Sequence, residues 1–303
     1  MTRPATRRST AAGIEVRDLR VRFGDRAVLD GVSFAAPRGA VTGFVGVNGA
    51  GKTTTLRRLL ALEHGDGSAL IDGVEYRELR DPLRTLGFCP DALGARAGST
   101  GRAHLREVAA QAGVGDADRL LAEVGLGTGA ARIRSYSLGM RRRLAIAGAL
   151  VASPSILVLD EPFDGLDPEG RRWLGGRLRA HAEAGGAVLL SAHALDEIEP
   201  LLDRLVCLHA GRVRFEGETE GFLRAHAAPV TIVRSRDQAR LSAALRGSGA
   251  SVAGRAAGAL AVRGLAPDRI AEVAGALGVL VTELSPRRVT LSQAFAATIA
   301  EAE

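Results

Sequence analysis

Lysine is almost absent from this chain. Of 303 residues with 40 basic side chains, Lys52 is the only lysine and the rest are arginine. Arginine serves wherever a generic positive charge suffices. The one surviving lysine marks a place where a planar fork cannot replace a compact ammonium. Cysteine is scarce as well. Cys89 and Cys207 sit in apolar, strand-like runs, so buried structural thiols of a reducing compartment are expected, not a disulfide or metal site. Aromatic residues make up 4% of the chain, too few for a base-stacking platform, and a net charge of +6 is weak attraction, so no nucleic-acid partner is expected. No apolar run approaches the ~18 residues of a membrane span. The start, Met1 to Gly13, carries Arg3, Arg7 and Arg8 without an apolar h-region, and reads as a disordered basic tail, not a signal peptide.

What is present begins with a hydrophobic content of 46%, enough for a full core, in a length that suits one large domain plus a small one. The pivotal stretch is Gly46-Val47-Asn48-Gly49-Ala50-Gly51-Lys52-Thr53-Thr54. An apolar run, Ala40 to Val45, precedes it as a buried strand; Thr55 to Leu60 follows with helical spacing. Strand, glycine-rich loop and helix with Gly-x-x-x-x-Gly-Lys-Thr form a P-loop, or Walker A motif. Its glycines let successive N–H groups wrap a phosphate, and the helix start adds its positive dipole end. Lys52 is expected on the β- and γ-phosphates and the Thr53 hydroxyl on Mg²⁺.

Along the rest of the first part, the sequence predicts strands at Ile14–Phe23 and Ala27–Ala36 around a turn at Gly24-Asp25-Arg26. Phe23, just before that turn, is either a core aromatic or a platform for a nucleotide base. A hairpin is expected at Ser68–Val74 and a strand over Leu83–Phe88, ending at Cys89-Pro90-Asp91. Helical spacing runs from Ser99 to Leu126, broken at Gly113 and Gly115. After Ser135-Tyr136-Ser137-Leu138-Gly139-Met140, a helix extends from Arg141 to about Ala152 with its apolar face on Leu144, Ala147, Gly148 and Val151. Arg141, Arg142 and Arg143 read as a solvated face of that helix.

Ile156–Leu159 is a continuous apolar run, hence a buried parallel strand, and it ends in Asp160-Glu161. Acidic residues at the carboxyl end of such a strand stand where α/β folds place their ligand chemistry. Asp167-Pro168 opens a helix to about Ala184. Ala187–Leu190 is the next buried strand, closed by Ser191-Ala192-His193, and His193 at a strand end beside a nucleotide site is a functional candidate. Leu205–Leu208 and Arg212–Phe215 form a hairpin. Past Ala227 the composition turns to alanine, glycine and valine, and the predicted elements follow the order βαββαβ, the ferredoxin-like pattern, with a terminal helix from Leu291 to Ala302. The predicted division is a tail over 1–13, a nucleotide-binding domain over 14–227 and a small α+β domain over 228–303.

From Ile14 to about Ala227 the chain resembles the ATP-binding subunit of ABC transporters. Ser135 to Met140 is similar to a variant ABC signature, Ile156 to Pro162 to Walker B with its following glutamate, Gly165-Leu166-Asp167 to the D-loop, and His193 to the H-loop, all in the family's order. The Tyr-Ser-Leu-Gly-Met form and the C-terminal extension resemble bacterial exporters of the bacitracin and daunorubicin resistance kind. Two positions depart from the pattern: Asp91 stands where the Q-loop usually has glutamine, and Leu138 where many signatures have glycine.

The resemblance implies an α/β P-loop cassette with a RecA-like core, an antiparallel β subdomain and a helical subdomain, binding ATP and Mg²⁺. It implies that the whole loop from Gly46 to Thr54 contacts nucleotide and that Phe23 stacks on adenine. Asp160 would hold Mg²⁺ through water, beside Thr53 and, through water, Asp91. Glu161 would be the general base, with His193 and Lys52 at the γ-phosphate. Ser137 and Gly139, with Asp167 nearby, would face the ATP of a second ATP-binding subunit, so two cassettes, identical or different, close head to tail. The transport path would lie in a separate transmembrane permease, holding this subunit at the cytoplasmic face of the membrane. The expected function is ATP hydrolysis driving export of a drug, antibiotic or other small molecule. An importer subunit uses the same ATPase chemistry and stays open. Translation-type ABC ATPases usually carry two cassettes and repair-type ones long coiled-coil insertions; this chain has neither. A P-loop GTPase would need an Asn/Thr-Lys-x-Asp motif, and the sole lysine is already used.

Overall fold

The computed structural model describes residues 12–96, 98–114, 116–226, 230–255, 258–287 and 290–300. These divide into two compact units, one ending at Thr219 and one beginning at Glu220. Most of the expected basic tail lies outside the described residues; Ala12 and Gly13 already belong to the first strand.

In the first unit, β1 (Ala12–Phe23), β2 (Arg26–Pro37) and β4 (Asp66–Ile71) form an antiparallel sheet in the order β2-β1-β4. The turn at Gly24 and Asp25 connects β1 to β2 as the sequence predicts. The hairpin expected at Ser68–Val74 is different: β4 pairs with β1, and its return arm shrinks to a single Ile71–Val74 bridge.

The second sheet has the order β5-β6-β7-β3-β8-β9. It is built from β3 (Ala40–Gly46), β5 (Leu86–Cys89), β6 (Ile156–Leu159), β7 (Ala187–Ala192), β8 (Arg204–His209) and β9 (Arg212–Glu218). All neighbours are parallel except the closing β8–β9 pair. Residues of β3, β6 and β7 are buried throughout, which is why these strands read as unbroken apolar runs. Helix α1 (Lys52–Leu59) follows β3 directly and buries Leu56 and Leu59 in the core shared with both sheets.

The segment expected as strand over Leu83–Phe88 starts instead as a single helical turn, α2 (Pro82–Thr85). Asp81 caps it by accepting the Arg84 N–H, and proline holds its first position. Helices α3 (Gly101–Gln111), α4 (Ala117–Glu123) and α5 (Leu138–Leu150) enclose their own cluster around Leu105, Leu121, Ile133 and Leu144. Gly113 breaks the spacing between α3 and α4 at φ 65°, while Gly115 lies outside the described residues. Helix α6 (Pro168–Glu183) is capped by Asp167, and the short α7 (Leu195–Ile198) follows β7.

The second unit contains α8 (Thr219–His226, entering from the first), β10 (Val230–Ser235), α9 (Gln238–Gly247), β11 (Ser251–Arg255), β12 (Ala259–Arg263), α10 (Pro267–Ala276), β13 (Val281–Arg287) and α11 (Leu291–Ala300). Its sheet has the order β11-β12-β10-β13 with every pair antiparallel. Two central strands flanked by the other two is the arrangement that a βαββαβ chain adopts when each helix crosses over one intervening strand. Leu241, Leu245, Ile270 and Ala274 of α9 and α10 pack with Val233 and Val262 of this sheet. Among the described residues no helix is long and apolar enough to cross a membrane.

Candidate active site

The loop after β3 turns on glycine. Gly51 caps α1 at φ 109°, and a Cβ there would lie 2.5 Å from Leu29 Cδ2 as well as in a disfavoured backbone region. The sharp turn brings Lys52 to the first position of the helix. Its side chain is 8% exposed; Nζ donates to the Gly46 carbonyl at 2.7 Å and lies 3.8 Å from Glu161 Oε1. One turn of loop therefore holds a buried ammonium above its own backbone.

The carboxyl end of β6 delivers the acidic pair. Asp160 is buried and accepts from Thr53 Oγ1 at 3.0 Å and from Ser191 Oγ at 2.6 Å. Ser191, wholly buried at the end of β7, also accepts the Glu161 N–H at 2.8 Å. One hydroxyl thus fixes both acidic residues. Glu161 has φ 50°, in the left-handed region that costs a side chain of its kind about 1–3 kcal/mol. Its Oε2 lies 3.0 Å from His193 Nδ1, and Asp164 is 3.7 Å from the same nitrogen. Because β6, β7 and β3 are adjacent in the sheet, residues far apart in sequence converge here.

Lys52, Thr53, Asp160 and Glu161 border a cleft of about 390 Å³, lined also by Arg26, Val28, Asn48, Gly49, Gly51, Thr54 and Asp91; His193 reaches it only through Glu161. Of the expected site residues, Gly46 and Ala50 are buried in the strand end and loop beneath it, and Val47 is 43% exposed. Phe23 is 52% exposed, so it is not a core aromatic. The oxygens of Thr53 and Asp160, held together by hydrogen bonding, are the hard donors that Mg²⁺ takes, and the glycine loop leaves room for phosphate beside them. The residues present fit both groups.

Ser137, Gly139 and Asp167 are not among the residues lining the cleft. Ser137 caps α5 by accepting the Met140 N–H, and Leu138 is 69% exposed. Gly139 lies so close to the Gly165 turn that a Cβ would come within 2.6 Å of the Gly165 carbonyl oxygen. Asp167 accepts from Gly170 N–H and from Arg143 at 2.6 Å, and these bonds hold its carboxyl below the usual range. The signature and the D-loop therefore form one local structure.

The arginine triplet is not the solvated face that its sequence suggests. Arg141 is exposed, but Arg142 has a side chain 3% exposed, and Arg143 binds Asp167 and the Val124 carbonyl. Helix α5 is buried on most sides, so its second arginine points inward. There it donates to the carbonyls of Pro90 and Asp160 and to Asp91 Oδ1 at 2.9 Å. Ser191, Arg142, Asp164 and the cleft-lining Arg26 and Val28 are site residues that the sequence reading missed. A polar side chain closing a buried strand was the available signal for Ser191. Both cysteines are free and buried, and burial pushes each thiol up to about 12.

Known proteins resemble this chain in sequence and in fold. The ABC transporter family profile matches residues 29–164, and a second profile, Domain of unknown function (DUF8746), matches residues 229–292. The Nod factor export ATP-binding protein I of Burkholderia lata is 38% identical over 216 residues, covering 68% of this chain and 71% of that one. The daunorubicin resistance ATP-binding protein DrrA3 of Streptomyces coeruleorubidus is 37% identical over 208 residues, 66% of each chain. A solved ATP-binding subunit of an ABC transporter superposes with a TM-score of 0.64 at 30% identity, over 70% of this chain and 92% of its own. Sequence and fold together place the chain in the ABC transporter ATP-binding family, P-loop cassettes that bind ATP and hydrolyse it to power transport.

Proposed function

We propose that this chain is the ATP-hydrolysing subunit of an exporter, working as a pair of cassettes beneath a separate permease at the cytoplasmic face of the membrane. The observation that carries this reading is the convergence of Lys52, Thr53, Asp160 and Glu161 on one cleft, with His193 held against Glu161 and with Ser137 and Gly139 outside the cleft. A site whose phosphate cradle and signature do not meet within one chain suits completion by a second chain, head to tail.

Bound Mg·ATP supplies the scissile phosphoryl bond and the cation that offsets its charge. Lys52 would exchange the Gly46 carbonyl for phosphate oxygens. Thr53 and Asp160 would hold the metal, Asp160 kept in place by Ser191. Glu161, held at its N–H and beside His193, would take a proton from the attacking water. Phe23 offers an exposed ring for adenine. An apolar groove of about 230 Å³, bordered by Pro90, Leu93, Val108 and Ala149 next to Asp91, supports docking of the permease there. Export is favoured over import by the names of the relatives, which handle Nod factor and daunorubicin. The small α+β unit carries no chemical motif and reads as a packing or regulatory module, its proposed start being residue 228.

Glu161→Gln tests the centre of this reading. ATP binding should persist while steady-state hydrolysis falls by about 10²–10⁴, and the variant should accumulate as an ATP-bound dimer. Unchanged turnover would remove Glu161 from the role. Co-purification with a membrane protein that needs no external binding protein separates exporter from importer.

A further inference from the structure

Asp164 has no part in the mechanism above. Its carboxylate lies 3.7 Å from His193 Nδ1, the nitrogen that is also 3.0 Å from Glu161 Oε2. One ligand atom from each of these three side chains falls within 4.8 Å of the other two. The backbone builds the trio. The Asp164 N–H donates to the Glu161 carbonyl at 3.2 Å, and this turn carries both acidic residues just after β6. Strand β7 runs parallel beside β6, with Leu190 opposite Leu159, so His193 arrives at the same end of the sheet. Glu161 is mostly buried and forms the floor, its N–H on Ser191 and its other carboxylate oxygen 3.8 Å from Lys52. Asp164 and His193 are about half open to solvent, which leaves a small ion a way in.

A hydrogen bond from His193 to Glu161 needs one carboxylate; a metal ion can use both and the ring. Two carboxylate oxygens and one imidazole nitrogen, with a fourth position left for water, form a donor set that zinc takes. Bonds of about 2.0–2.2 Å in a tetrahedron put the ligand atoms about 3.4 Å apart. The two separations measured at His193 bracket that value. Mg²⁺ keeps an all-oxygen shell with several waters, so the imidazole selects a softer ion and sets this place apart from Thr53 and Asp160. We propose that Glu161, Asp164 and His193 form a binding site for a borderline divalent cation of the zinc class, whose occupancy withholds Glu161 from the attacking water and arrests hydrolysis. The ion takes the lone pair of Nδ1, so the neutral ring carries its proton on Nε2. The two carboxylates balance the ion's charge, while the Lys52 ammonium beyond Glu161 opposes it and keeps binding reversible. The arrest, unlike the binding, rests on the reading of Glu161 as general base.

Cobalt(II) is the probe for the site, because a four-coordinate ion absorbs visible light far more strongly than the hydrated one. The full chain, freed of metal and nucleotide, would be titrated with Co²⁺, and Zn²⁺ would then be added to displace it. A signal that saturates at one equivalent per chain and disappears on displacement is expected. Asp164→Asn should weaken Co²⁺ binding at least tenfold, and His193→Gln should remove the signal. Glu169→Gln, at an exposed carboxylate in the same stretch of chain, should bind Co²⁺ as the wild type does. Steady-state hydrolysis at saturating Mg·ATP would be read at buffered free Zn²⁺, each protein against its own zinc-free rate. Zinc should inhibit the wild type over the range in which it binds, a zinc-selective chelator should restore the rate, and Asp164→Asn should need at least tenfold more zinc. The binding comparison needs no turnover, so it decides the site even if that variant is slow. Absence of a saturable signal in the wild type would overturn the proposal, as would an Asp164→Asn protein that binds Co²⁺ as tightly as the wild type. Zinc bound at one equivalent with hydrolysis unaffected would overturn it too. A wild type that binds the ion through these residues but never hydrolyses ATP would sink the functional reading and leave the metal site standing.

Discussion

Ser191→Ala isolates the contribution of one hydroxyl to the site. The hydroxyl is wholly buried, donates to Asp160 Oδ1 at 2.6 Å and accepts the Glu161 N–H at 2.8 Å. A hydrogen bond to a charged group contributes about 1.5–3 kcal/mol, and a polar group left unpaired in the interior costs about 1–3 kcal/mol. The two losses share one atom and do not add in full. Thr53 still donates to the other carboxylate oxygen of Asp160. A net loss of about 2–4 kcal/mol is expected. Urea unfolding followed through Trp173 reads the first unit alone, since no other tryptophan is present. At a slope of about 2–3 kcal/mol per molar, the midpoint should fall by about 1 M. Turnover should fall as well, by about tenfold or more, because Glu161 would lose the bond that anchors its left-handed backbone. A midpoint shifted by less than ~0.2 M, with normal turnover, would refute this account of how the acidic pair is held.

Lys52→Arg should abolish ATPase activity although the charge remains, because the buried, single-donor seat on the Gly46 carbonyl does not fit a guanidinium fork. An amine-selective acylating reagent should inactivate stoichiometrically at Lys52, with protection by Mg·ATP. Peptide mapping that finds full modification with activity retained would refute it. Gly139→Ala should uncouple the signature from the D-loop, since the new methyl would meet the Gly165 carbonyl at 2.6 Å. Loss of ATP-driven dimerisation with nucleotide affinity intact is the expected result, checked by light scattering. Cys89 and Cys207 should resist a thiol reagent at pH 8 until the chain unfolds, both being protonated with their affinity for the proton raised to about 12 by burial. Above about pH 9 the unfolded thiols ionise while the folded ones do not, so stability should decline as pH rises. Rapid labelling of the folded protein would count against that.

Much of the site was legible because its signals are local. The P-loop announces itself by spacing, β6 by an uninterrupted apolar run, and α6 by Asp167-Pro168 at its start. The strands of the second unit were readable for a similar reason: short β-branched and alanine-rich runs separated by helical spacing. The turn Pro82–Thr85 escaped because four residues carry no periodicity, although Asp81-Pro82 held the start signal. Arg142 escaped for a deeper reason. In a triplet of arginines, the buried one is chosen by contacts with strand ends some 50 residues before and 18 residues after it. Nothing local to α5 encodes that choice. Asp91 was singled out as a departure from a pattern, but its partner became visible only when α5 was placed against β5.

The central position of β3 has a consequence for synthesis. Its partners in the sheet are β7 and β8: Ala40 pairs with Ala187, and Thr42 with Arg204. A ribosome adding about 5–20 residues per second needs on the order of ten seconds to travel from β3 to β7. Throughout that interval the apolar strand that precedes the P-loop has no neighbour to bond with, and the acidic pair after β6 has no Ser191 to hold it. ATP in the surrounding solution could not reward the growing chain for folding correctly until β7 had left the exit tunnel. Premature termination before β7 would release a fragment in which Val41, Phe44 and Val45 lack their strand partners, so this strand order leaves truncated chains prone to aggregate.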